Sequence, residues 1–131
     1  MNDALETIIA LARQNIERNP SLQGRPAEAV AKQYLAGLRD EVEEVGVEIR
    51  ADNAIYLADE LADILWDYAC AMAQLERAGY ISNIEEVLVH AVQKYQERAP
   101  AFLELTEEKW EAIKTKQKTE LKHRHQELYG N

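Results

Sequence analysis

The stretch LRDEVEEVGVEIRADNAIYLADELADIL, residues 38–65, carries two acidic pairs, Glu41 with Glu44 and Glu60 with Asp63, on either side of Ala51-Asp52-Asn53. Each pair is spaced i,i+3, which puts both carboxylates on one side of a helix, roughly 4.5 Å apart along its axis. A turn at Ala51-Asp52-Asn53 folds the two helices into an antiparallel hairpin that pivots near residue 52. Counted from that pivot, Glu44 falls level with Glu60 and Glu41 with Asp63. Packed helices stand about 8–10 Å apart, so the four carboxylates are expected to converge on one small volume. Four anions do not stay ionised together without positive charge between them, and a divalent cation is the simplest neutraliser. Oxygen-only donors favour Mg²⁺, with Mn²⁺ as the alternative, over zinc.

Outward from this hairpin the chain reads as all-α, an antiparallel bundle of about five helices. The first is expected from Asp3 to Arg18, ended by Asn19-Pro20, with Ile8, Ile9, Leu11, Ala12 and Ile16 as its apolar side. The second starts just after Pro26, a favoured first-turn residue, and runs to about Arg50. The third runs from Asn53 to about Ala78 and stops at Gly79. Asn83 with Glu86 reads as a capping box for the fourth, which continues to Ala99 before Pro100. Thr106, with Glu107 and Glu108 in the first turn, opens a fifth that extends to about His125.

Helical periodicity puts Tyr34, Leu38, Val42, Val45 and Ile49 on one stripe of the second helix, with Glu41, Glu44 and Glu48 along its edge. The third helix has the stripe Leu57, Leu61, Ile64, Leu65, Tyr68 and Met72, edged by Glu60, Asp63 and Asp67. Its remaining side is Ala62, Trp66, Ala69, Cys70 and Ala73. A helix apolar almost all round, apart from one acidic column, belongs at the centre of an assembly. A homodimer through the third helix is therefore expected, with a homotetramer as the alternative.

Composition bounds the partners. The chain of 131 residues is 47% hydrophobic and 30% charged, with five Gly and three Pro, as in a helical globular protein. The net charge is −9, and residues 1–105 hold nine basic against nineteen acidic side chains. Residues 106–131 hold six basic and five acidic. Without a broad basic surface, nucleic acid is not an expected partner. No apolar run approaches the roughly 20 residues that cross a bilayer, so no membrane association is expected. The acidic start Met1-Asn2-Asp3 does not read as a signal peptide. The single cysteine, Cys70, excludes an internal disulfide and agrees with a cytoplasmic location.

The segments Leu38-Arg39-Asp40-Glu41-Val42-Glu43-Glu44 and Asp59-Glu60-Leu61-Ala62-Asp63-Ile64-Leu65 resemble the ExxE…ExxD signature of the MazG-type all-α nucleoside triphosphate pyrophosphohydrolases. Downstream, Lys94-Tyr95-Gln96-Glu97-Arg98 resembles the K-[FY]-x-x-R element of that family, and Trp110-Glu111-Ala112-Ile113-Lys114 its W-x-x-x-K element. The likeness runs from about Val30 to Lys118. It implies one MazG-like domain over residues 1–131, with a core at about 26–118, an N-terminal helix at 3–18 and a basic helix end at 114–131. It further implies that Glu41, Glu44, Glu60 and Asp63 are both metal ligands and catalytic residues. The substrate would be a nucleoside triphosphate, deoxy or non-standard, cleaved to the monophosphate and pyrophosphate as a house-cleaning activity.

Lys94 and Arg98 lie one turn apart and can address the same polyphosphate, Arg offering a bidentate fork. Trp110 and Lys114 share a face in the same manner and complete the substrate-binding set, although Trp110 fits stacking on a base and covering the core equally well. Tyr56 and Val92 depart from the family, which often has Lys and Asn there, so base and sugar preference do not transfer. Related hydrolases of phosphoribosyl-ATP or dUTP share the four carboxylates, and a non-catalytic helical scaffold is the competitor of another class. His90 stands alone on its helix, which fits packing better than ligation. His123 and His125 fall near a helix end expected to be frayed. Glu43 is expected to face solvent, and Glu48 and Asp67 to lie level with Tyr56 and Gly37.

Overall fold

The computed structural model describes residues 2–99 and 106–130. Five helices make up the regular structure of the described residues: α1 (Asn2–Arg18), α2 (Ala27–Glu48), α3 (Ala54–Arg77), α4 (Ile84–Arg98) and α5 (Glu107–Tyr129). The all-α expectation holds, and most helix ends fall within two residues of those expected. Pro100, expected to stop α4, lies outside the described residues. The chain divides into two compact units, residues 1–84 and 85–131.

In the first unit α2 and α3 pair along their length, and α1 packs on α3. The face that α1 buries is Ile9, Ala12 and Ile16, spaced one and two turns apart. It meets the far half of α3, where Ala69, Cys70, Ala71, Met72 and Ala73 are all buried. Small side chains there let the helix axes come close. Polar groups then fix the fit. Arg13 makes a bidentate pair with Glu76, Nε to Oε1 at 2.8 Å and Nη2 to Oε2 at 2.7 Å. Arg77 Nη1 donates to the carbonyl of Ile16 at 2.9 Å, capping the end of α1. Asn15 Nδ2 donates to the Tyr34 hydroxyl at 2.7 Å and lies 3.5 Å from Cys70 Sγ, joining all three helices.

Two connections set the register. Gly79 takes φ +83, and Tyr80 N donates to the carbonyl of Leu75 at 2.9 Å, closing α3 with a left-handed cap that glycine adopts without strain. Between α2 and α3, Asp52 takes φ 57. The buried Asn53 donates from Nδ2 to the Glu48 carbonyl at 2.8 Å and to Glu48 Oε2 at 2.6 Å. That amide satisfies a terminal carbonyl of α2 and holds the pivot. Glu48 is thereby taken up by the hinge.

Burial along α2 and α3 is uneven. Val42, Ile49 and Leu61 are exposed by 54%, 68% and 49%, so the apolar stripes are open at the acidic end. α1 covers only the other end.

In the second unit, Thr106 caps α5 by accepting from Lys109 N, as expected. α5 runs past His125 to Tyr129, where Gly130 ends it at φ 75. The frayed end expected around His123 and His125 is instead continuous helix, because the stop signal is that glycine and no breaker precedes it.

Candidate active site

Of the four carboxylates that the count from residue 52 expects to converge, the hairpin brings three into one compact group. One carboxylate oxygen from each of Glu41, Glu60 and Asp63 lies within 4.8 Å of the others. Glu44 stands outside this compact group and is exposed, as Asp63 is, yet its carboxyl interacts with those of both Glu41 and Glu60. One turn further along α3, Asp67 faces Gly37. A Cβ at Gly37 would come within 3.0 Å of Asp67 Oδ2, so glycine leaves room there for the carboxylate. Glu43 is exposed, as expected.

The electrostatics follow from the crowding. Glu41 is pushed up to about 7 from the ordinary 4.5, first by hydrogen bonding to the Glu44 carboxyl, then by burial, then by Glu60. Glu60 is raised chiefly by burial, with the Glu44 and Asp63 charges adding in the same direction. Asp67 is raised by burial and by Asp63. Like charges at this spacing favour a shared proton or a cation. Glu41 Oε2 and Glu60 Oε2 are buried without a hydrogen-bond partner among the described residues. Buried carboxylate oxygens without donors are costly unless something positive serves them. All three donors are hard oxygens, so the site fits a divalent cation of the Mg²⁺ or Mn²⁺ kind.

The remaining expected site residues, Lys94, Arg98, Trp110 and Lys114, belong to the second unit. Lys94, Arg98 and Lys114 line a cleft of about 270 Å³ between α4 and α5, together with Lys118 and Arg124. Glu97 and Glu120 also line it, leaving the basic residues in excess. Arg98 is buried, 8% exposed, with its guanidinium carbon 5.3 Å from the Tyr95 ring and 5.0 Å from the Trp110 ring. Half-buried Trp110 thus covers Arg98. His90 is exposed at this cleft and does not pack in a core, which corrects the expectation for it. The residue that sequence reasoning passed over is Gln117. It is 7% exposed and accepts from Arg98 Nε at 2.7 Å. Its spacing was a usable signal, since it follows Trp110 by two turns and Lys114 by one on the same face of α5.

The sequence model of the MazG nucleotide pyrophosphohydrolase domain matches residues 30–103, more than half of the chain. The chain belongs to this family. No curated protein and no solved structure gives a significant match. Among the described residues no helix is long and apolar enough to cross a membrane.

Proposed function

We propose that the protein is a Mg²⁺-dependent nucleotide pyrophosphohydrolase, with Mn²⁺ as a possible substitute. It takes a nucleoside triphosphate, deoxy or non-standard, to the monophosphate and pyrophosphate in the cytoplasm. The observation that carries this reading is the meeting of Glu41, Glu60 and Asp63, two of whose buried oxygens have no hydrogen-bond partner among the described residues. Family membership supplies the reaction class.

Glu41, Glu44, Glu60 and Asp63 would hold the cation. When bound, such an ion neutralises charge on phosphoryl oxygens and makes a water more acidic. The carboxylates exclude other anions from their gap and provide oxygens that can take the proton of the attacking water. That water adds to the α-phosphorus, the bond from it to the bridging oxygen breaks, and pyrophosphate leaves. No side-chain nucleophile is needed. Lys94, Arg98, Trp110 and Lys114 are the substrate-binding residues of this reading; support comes from the shared cleft that the three cations line. A homodimer through α3 belongs to the same reading, with a homotetramer as the alternative. Exposed Leu61, Leu65 and Tyr68 support it.

A panel of ordinary and damaged nucleoside triphosphates with Mg²⁺, reading released pyrophosphate, tests the proposal. Turnover on some member, lost in Glu44→Gln with helix content and assembly intact, is the expected result. Activity confined to phosphoribosyl-ATP would reassign the substrate. No turnover with any triphosphate, and no effect of Mg²⁺ on melting, would refute the enzyme reading.

A further inference from the structure

Arg98 is charged at every pH a protein meets, and it is buried. No carboxylate among the described residues is ion-paired with it; its one hydrogen bond is Nε to Gln117 Oε1 at 2.7 Å. Burying a cation is costly unless polar groups or an anion compensate. The compensation here is neutral, from the rings of Tyr95 and Trp110 and from the Gln117 amide. Gln117 also donates from Nε2 to the Lys94 carbonyl at 3.0 Å. One buried amide on α5 therefore holds both the Arg98 side chain and the backbone that carries Lys94. Among the described residues only Nε of the guanidinium is used in this way, which leaves both terminal amino groups for a ligand of the cleft that Arg98 lines.

We infer that Gln117 is the positioning residue of this cleft: its neutral amide aims the Arg98 guanidinium and leaves its full charge for a phosphate-bearing anion. The inference rests on reading Arg98 as a phosphate-binding residue. The choice of amide matters chemically. A carboxylate at the same place would accept from Nε equally well, but it would form an ion pair and compete with the incoming phosphate. An apolar side chain would fill the space and leave the fork free to turn. Glutamine alone of these orients the cation without neutralising it.

Inorganic tripolyphosphate titrated calorimetrically into the full chain, at low salt and without divalent cation, tests this apart from catalysis. Wild type is expected to bind, and Arg98→Ala to lose binding. Gln117→Glu is expected to weaken binding about tenfold or more, beyond what its Tm accounts for, since it also loses the donor to the Lys94 carbonyl. Gln117→Met, of similar volume but without either hydrogen bond, is expected to weaken it as well, and it carries the comparison if the Glu variant fails to fold. A purely structural role would make affinity follow Tm, so Gln117→Glu and Gln117→Met would lose binding only in step with their loss of stability. That result, or equal behaviour of Arg98→Ala and wild type, would overturn the inference. Gln117-dependent binding without any nucleotide turnover would leave the inference standing and remove the pyrophosphohydrolase reading.

Discussion

Proton release on metal binding is the sharpest consequence of the acidic cluster. Without a cation, Glu41 titrates at about 7 in the folded chain against an ordinary 4.5. The raised value means that the folded state holds a proton that the unfolded state gives up, so the sign is the reverse of the usual carboxylate case. Stability from this group is fully present below about pH 4.5 and falls as pH rises through about 7. Glu60, also raised, acts in the same direction. A cation needs ionised carboxylates, so at Glu41 it must displace about 0.9 proton at pH 6 and about 0.1 at pH 8. Apparent Mg²⁺ affinity should therefore climb about tenfold per pH unit below 7 and level off above it. Calorimetric Mg²⁺ titrations in two buffers of different ionisation enthalpy count the protons directly. Glu41→Gln should abolish most of the release. Equal affinity at pH 5.5 and 8 with no proton released would refute the reasoning, because the crowded carboxylates would then not share the ion.

Two further substitutions or reactions probe the frame around the site. Asn53→Ala leaves the Glu48 carbonyl without its side-chain donor and the Glu48 carboxylate with Arg50 alone, and should cost about 1–3 kcal/mol in urea unfolding; an unchanged midpoint would show that the hinge is held by other contacts. Cys70 is fully buried, and burial pushes its thiol up to about 11, so only about 0.1% is thiolate at pH 8. A thiol reagent should label it only after denaturation, and fast labelling of the native chain would contradict its placement.

Much of the fold was legible because the signals were local. Pro26, Gly79 and Thr106 mark helix ends through backbone rules that act over four or five residues. The count from residue 52 was a stronger test, since it placed Gly37 against Asp67, and their close approach bears it out. What local pattern missed was the end of α5, where Gly130 was the stop. It also missed the role of Glu48, which the hinge amide of Asn53 engages. The stripe of α2 was legible as apolar, but not what covers it: Val42 and Ile49 are exposed, while the buried residues of α3 lie in its other half.

Periodicity and spacing alone determined that the chain is helical, where its hairpin turns, and which carboxylates share an edge. These follow from a fixed rise per residue and from residue types that each peptide unit senses nearby. Tertiary structure decided the rest. It brought Glu41, Glu60 and Asp63 together without Glu44, and it left two oxygens buried without donors among the described residues. It also seated Arg98 against two rings, with Gln117 as its only hydrogen-bond partner among the described residues. Such distances depend on how far helices approach and rotate, and side-chain packing between them sets that, not the order of residues along any one.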